Sequence, residues 1–305
     1  MLIGQILYET TRRWPDRIAV VERENSLSYS QWNAKVNSVA QSLVGRLKVR
    51  KGDRVGIMAY NSIEQITTAM ALQKIGAVYV SLNFRLSIDE LRYQIEDSGL
   101  KVLFFDAELA DTVLPCADIV QTLVAIKLTG SLPSGVVPFA DLEGESADEP
   151  SASSEPNDPS LVMYTSGTTG RPKGVVLSHR AQYLNTLFCA LEMNIGPTDR
   201  TLHIAPLFHV AAYHVMLLPH VLVGASNYIV RKFDPHAALE IIQKYQITTM
   251  LAVPTQFDRM AAESLTRRTS EHRSGLRSIP ERPSRSVPST PSGTKLHRGL
   301  VRFTA

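Results

Sequence analysis

Residues 54–105 read RVGIMAYNSIEQITTAMALQKIGAVYVSLNFRLSIDELRYQIEDSGLKVLFF, and this stretch decides the fold class. Arg54 to Tyr60 has the apolar run of a buried strand. Ser62 followed by Gln65 forms the pattern of a capping box, in which a hydroxyl and a side chain three residues on satisfy free backbone N–H groups, and it opens a helix through Ile75. Ala77 to Ser81 is a second strand, Ser87 and Glu90 cap a second helix that Gly99 closes, and Lys101 to Phe105 is a third strand. Strands alternating with helices of this length require crossover connections. The expected fold class is therefore α/β, with mostly parallel sheets flanked by helices.

Upstream, Ser30 to Leu47 places Val36, Val39, Ala40, Leu43, Val44 and Leu47 on one helical stripe. Downstream, Thr129 to Ser160 shifts to Gly, Pro, Ser and acidic residues without Lys or Arg, the composition of a long solvated connection. Leu161 to Tyr164 and Val175 to Ser178 read as strands followed by a helix to about Met193. Asp234 and Pro235 have the residue types of a helix cap and first turn, and Ile247 to Val253 reads as another strand.

The chain divides near Glu263. Residues 264–305 hold nine Lys and Arg against two Glu, whereas the preceding 263 residues hold 23 basic and 27 acidic groups. This tail is rich in Arg, Ser, Thr and Pro and is expected to be disordered, as a basic extension or as the product of a shifted reading frame. It lacks interleaved aromatics, so nucleic acid is not an expected partner. Over all 305 residues, 44% hydrophobic and 20% charged residues are those of an ordinary globular protein. Cys116 and Cys189 form no metal or disulfide pattern, and no stretch is apolar and long enough to span a membrane, so the expected setting is cytoplasmic.

The chemistry concentrates in Tyr164 to Gly174, YTSGTTGRPKG. Gly167, Gly170 and Gly174 let backbone amides approach an anion; Thr165, Ser166, Thr168 and Thr169 can donate hydroxyl hydrogen bonds to phosphate oxygens, and Lys173 adds a positive charge. Pro172 before the lysine and Gly174 after it exclude the Walker pattern. A Ser, Thr and Gly run is also what a plain turn looks like, but Val162 to Lys173 resembles, position by position, the signature loop of adenylate-forming enzymes: acyl-CoA synthetases, luciferases and the adenylation domains of peptide synthetases. Gly52 to Tyr60, Gly76 to Leu86 and Ala205-Pro206-Leu207-Phe208-His209-Val210 are similar to further regions of acyl-CoA synthetases.

The resemblance implies an ATP-dependent acid–CoA ligase, the N-terminal part of such an enzyme, acting in fatty-acid or related lipid metabolism on a small fatty or aromatic carboxylic acid. Co-substrates would be ATP with Mg2+ and coenzyme A. It implies that Thr165, Ser166, Gly167, Thr168, Thr169, Gly170 and Lys173 hold phosphates, that His209 stands beside the acyl carboxylate, and that the acyl tail lies near Val210 to Leu218. His214 and His220 lack ligand spacing and read as core histidines; no metal ligands are assigned. An amino-acid-activating domain fits less well, because Phe208-His209 replaces the aromatic-Asp pair such domains offer to the substrate amine. The family's later motifs, an aromatic-Gly-x-Thr-Glu segment, a Thr-Gly-Asp and a C-terminal lysine, do not occur after Glu263. The alternative is accordingly a catalytically inactive fragment that at most binds nucleotide or a protein partner.

Overall fold

A computed structural model of the chain describes residues 2–127, 130, 134–144, 146–151, 154–165, 171–273 and 300–302. In chain order the strands are β1 (Ile18–Glu22), β2 (Asn25–Ser28), β3 (Arg54–Met58), β4 (Val78–Ser81), β5 (Val102–Asp106), β6 (Thr122–Ile126), β7 (Val136–Pro138), β8 (Pro159–Thr165), β9 (Lys173–Ser178), β10 (Arg200–His203), β11 (Ser226–Ile229), β12 (Thr249–Leu251) and β13 (Leu300–Arg302). The helices are α1 (Ile6–Arg13), α2 (Tyr29–Gly45), α3 (Ile63–Lys74), α4 (Ile88–Ser98), α5 (Ala110–Val113), α6 (His179–Glu192), α7 (Leu218–Val223), α8 (Pro235–Tyr245) and α9 (Pro254–Arg273).

These strands form two sheets. The larger runs β7-β6-β5-β3-β4-β8-β9 and is parallel except for the β8–β9 hairpin. The smaller runs β13-β12-β10-β11-β1-β2, with a parallel centre and an antiparallel strand at each edge. Residues from both sheets share one core with α1, α2, α3 and α7, built around Tyr29, Trp32, Tyr79 and Phe104. A second cluster under α4 covers the other face of the larger sheet, and a third under α8 covers that of the smaller. Helices on both faces follow from strands that are apolar throughout rather than alternating.

Local chemistry explains the element ends. Ser87 and Glu90 make both bonds of a capping box, and Gly99 ends α4 at φ 62°, a left-handed conformation that glycine adopts without strain. Ser62 accepts from the Gln65 amide, but the reciprocal bond from the Ser62 N–H to Gln65 that a capping box requires is not made; instead Glu22 at the end of β1 accepts from the next backbone donor, the Ile63 N–H, at 2.9 Å. The reason is tertiary. All of α3 except Glu64 is buried, so a neighbouring strand supplies the cap. A full capping box does open α2, at Ser28 and Gln31. Of the stripe expected on α2, Val36, Val39, Ala40 and Leu43 are fully buried, whereas Val44 is 37% exposed.

Two expectations require correction. The connection over 129–160 is not merely a solvated loop: β7 pairs with β6, Phe139 and Leu142 are buried, and Glu149 pairs with the buried Lys74, which also donates to Asn33 and Asn37. A three-residue strand and isolated anchors are too short to create a periodic signal. Nor does order stop at Glu263. α9 continues to Arg273 and β13 pairs antiparallel with β12, so these parts of the tail are regular. Helix formers such as Leu265, Arg267 and Arg268 carry α9 onward, with neither Gly nor Pro before Gly275. Residues 274–299 and 303–305, on which the rest of that expectation falls, lie outside the described residues.

Candidate functional site

The phosphate-loop candidate is the tip of the β8–β9 hairpin, where Thr165 is paired with Lys173. Ser166, Gly167, Thr168, Thr169 and Gly170 lie outside the described residues. Both flanks of the loop are fastened to α4. Tyr164 donates its hydroxyl to Asp97 at 2.7 Å, and burial together with that carboxylate raises the phenol's pKa. Tyr93 donates to the Pro172 carbonyl at 3.0 Å, with the Arg171 guanidinium 5.3 Å from its ring. Thr165 and Lys173 are exposed at the hairpin end. Gly174 serves packing more than anion approach: a Cβ there would lie 3.0 Å from Val162 and 3.4 Å from the Tyr164 ring.

Because β8 runs parallel to β4, Thr165 emerges at the C-terminal edge of the larger sheet, the edge at which open α/β sheets bind ligands. At this edge a cleft of about 470 Å3 opens between residues that follow β3, β4, β10, β11 and β12. Tyr60, Phe84 and Phe233 give it apolar surface, and Arg85, Lys232 and Arg259 give it positive charge. Asn61 holds its floor by donating to the Ala205 carbonyl at 2.9 Å and accepting from the Leu207 amide at 2.8 Å.

His209 lies beside this cleft. Ser81, at the end of β4, donates to the Phe208 carbonyl at 2.7 Å, and the Phe208 ring meets Phe84 edge-on at 5.2 Å. Ser81 is also the register partner of Met163, two residues before Thr165, so the His209 segment and the phosphate loop are both tied to the same strand end. The His209 side chain is exposed, and its Nδ1 accepts from the Ala211 amide at 3.2 Å. In the neutral ring the proton therefore sits on Nε2. The His209 carbonyl accepts from Ala212 and Tyr213, starting a π-helical segment, Ala211–Leu217. Its apolar side is already committed: Ala212, Tyr213, Met216 and Leu217 pack into the core, leaving Val210 as the exposed apolar residue at its start.

The remaining histidines read from the sequence as structural are so. His214 contacts Gln182 at 2.9 Å and burial lowers its pKa to about 4; His220 bridges the Met216 carbonyl and Thr249. What the sequence reading missed is a charged clamp joining the two sheets at the cleft. Arg231, after β11, makes two bonds to Asp106 at the end of β5, at 2.6 and 2.7 Å, and a third to Glu108 at 2.7 Å. Lys232 also pairs with Glu108 and lies 4.2 Å from the Tyr60 ring. Glu108 is held at about 2, by Arg231 first and Lys232 second. Burial acts to lower the Arg231 pKa, but its two carboxylate partners outweigh this and raise it. Adjacent Arg231 and Lys232 were the available signal; their partners, over 120 residues away, were not.

Among the described residues no group of three or more His, Cys, Asp or Glu side chains could hold a metal ion, and no helix is long and apolar enough to cross a membrane.

The sequence matches the family described as AMP-binding enzyme over residues 7–303. It is 34% identical over 260 residues to a feruloyl-CoA synthase of Amycolatopsis, covering 85% of this chain and 50% of that protein. It is 31% identical to an indoleacetate–CoA ligase of Aromatoleum aromaticum, covering 81% and 49%. The fold is similar to the N-terminal domain of FACL13 from Mycobacterium tuberculosis, with TM-score 0.74 and 30% identity over 85% of this chain and 64% of that one. It is likewise similar to an anthranilate CoA ligase bound to anthranoyl-AMP, with TM-score 0.77 and 25% identity over 84% and 50%. The chain thus spans about half the length of the curated relatives it matches.

Proposed function

The chain belongs to the AMP-binding enzyme family, and from that premise we propose that it supplies the triphosphate-holding half of an ATP-dependent acid–CoA ligase. The observation that carries this reading is the β8–β9 hairpin: exposed Thr165 and Lys173 flank the run of hydroxyls and glycines, both flanks are fastened to α4, and the hairpin end stands at the same sheet edge as the His209 segment.

In the proposed reaction an oxygen of the substrate carboxylate attacks the α-phosphorus of ATP. The bond to the bridging oxygen breaks, pyrophosphate leaves with the electron pair, and acyl-AMP remains. The thiol of coenzyme A, losing its proton, then attacks the acyl carbon and AMP departs. The substrate is itself the nucleophile, so the protein's task is alignment and charge neutralisation. Thr165 to Gly170 and Lys173 hold the β and γ phosphates, and His209 donates from Nε2 to the substrate carboxylate. Magnesium would supply further neutralisation of the triphosphate; among the described residues no group of three or more His, Cys, Asp or Glu side chains could hold it.

The carboxylic acid is fatty or aromatic, since Tyr60, Phe84 and Phe208 stand beside Arg85 and Lys232, a surface for an apolar body with a negative end. The names of the relatives favour an aromatic acid. A cytoplasmic setting accords with two buried, unpaired cysteines. We also propose that residues 1–263 form the AMP-binding part of the chain; translating the other frames downstream of the Glu263 codon, and finding the family's later motifs there, tests it.

The functional test is a chimera in which this chain's residues 1–263 replace the matching part of the feruloyl-CoA synthase. Acid-dependent exchange of pyrophosphate into ATP, lost about a hundredfold or more in Lys173→Ala, is the expected result. A folded chimera that binds ATP but shows no exchange with any fatty or aromatic acid would contradict the ligase reading.

A further inference from the structure

Helix α6 turns its largest aliphatic residues outward. Its buried side carries His179, Gln182 and Thr186 together with the small Cys189 and Ala190, with Gln182 bonded to Gln73 at 3.0 Å and to His214 at 2.9 Å. Its outward side carries Leu184 (52% exposed), Leu187, Phe188 (62%) and Leu191 (71%). Their spacing of three, four and seven is the stripe by which one helix packs on another. Val175 and Val176 on the adjoining strand β9 are exposed as well, and β9 is the edge strand of its sheet. Scattered exposed leucines need no explanation, but a contiguous stripe beside an open sheet edge marks an interaction surface.

The ends of the stripe point to the occupant. Exposed Arg180 stands before Leu184 and exposed Glu192 follows Leu191, so opposite charges bracket the apolar residues. The two charges lie 12 residues apart, about 18 Å along the helix. If a second α6 is laid antiparallel against the exposed face, with the two-fold axis crossing the helix at the height of residue 186, Leu184 meets Phe188 of the other copy, and each Arg180 meets the other copy's Glu192. A single operation satisfies both charge pairs and covers the stripe, as a closed isologous interface requires. We infer that this face of α6 is a dimer interface, and that its partner is a second copy of this chain, packed antiparallel.

Sedimentation equilibrium of the full chain tests the inference independently of nucleotide binding. The wild type should be a concentration-dependent dimer, and Phe188→Glu should be monomeric with unchanged circular dichroism. Because Phe188→Glu alone could act through misfolding, the charge pairs give the sharper measurement. Arg180→Glu and Glu192→Arg should each weaken dimerisation about tenfold, since each replaces two attractions by two repulsions. The double variant Arg180→Glu/Glu192→Arg should restore the wild-type affinity. A monomeric wild type, or a dimer insensitive to these reversals, would overturn the proposal. So would a face that binds only polypeptide matching the further length of the relatives.

Discussion

Replacing Asp106 by Ala removes one side of the clamp between the two sheets. Asp106 is fully buried; it accepts two bonds from Arg231 and a third, at 3.1 Å, from the Glu108 amide. Breaking a buried ion pair from one side costs about 3–5 kcal/mol, because the surviving charge stays out of water. Here Arg231 keeps Glu108 and its side chain is 14% exposed, which puts the expected loss at the lower end, about 3 kcal/mol. Glu108→Ala is the internal control. That carboxylate is half exposed, so its removal should cost no more than about 1 kcal/mol. Adding Arg231→Met to Asp106→Ala removes the stranded charge, and the double variant should be more stable than the two single losses predict, by about 2 kcal/mol. Urea unfolding followed by circular dichroism, with an unchanged denaturant slope, measures all five proteins: the wild type, Asp106→Ala, Glu108→Ala, Arg231→Met and the double variant. A loss below about 1 kcal/mol for Asp106→Ala, or strict additivity, would show that the clamp does not hold the sheets together.

Burial lowers the pKa of His179 to about 4, of His203 to about 3 and of His214 to about 4. Above about pH 6.5 these rings are neutral whether folded or unfolded; below it the unfolded chain takes up protons that the folded chain refuses until its own lower pKa. Stability should fall from pH 6.5 toward 4 by up to about 1.4 kcal/mol per histidine per pH unit, measured by urea midpoints; a flat profile would contradict the buried, neutral assignment. Gly99→Ala should cost about 1 kcal/mol in the same assay, because φ is 62° and the Arg54 guanidinium lies 3.1 Å from the added Cβ; no loss would mean α4 ends elsewhere. Radiolabelled pyrophosphate exchange with this chain alone should not exceed the Lys173→Ala background. Acid-dependent exchange above it would show that the described half-site suffices.

The βαβαβ unit was legible because its punctuation is local: Ser87, Glu90 and Gly99 act within a few residues of one another. Strands β1, β2, β6, β10 and β11 were not read, although at four or five residues they are as long as β3, β4 and β5, because no strand–helix–strand alternation as regular as that of β3 to β5 frames them. The β1–β2 turn, moreover, uses Arg23 at φ 55° where a glycine would have announced it. Division into two sheets depends on pairings such as β1 with β11, about 200 residues apart, which no local pattern records. The site followed the same rule. Hydroxyls, glycines and lysine in one run identify the loop, and Pro206 to His209 identify its neighbour; Tyr93, Asp97, Asp106 and Arg231 enter only through the fold.

Calorimetric titration of ATP into the chain is the most direct test that the β8–β9 hairpin grips a triphosphate. Binding should survive in this half-length chain, because the loop's flanks are held by Tyr93 and Tyr164 within the described sheet. Lys173→Ala should weaken it about tenfold or more, the worth of one charge-assisted contact to phosphate, while His209→Ala leaves it unchanged. An affinity equal in wild type and Lys173→Ala, in proteins with the same unfolding midpoint, would contradict the assignment of the loop.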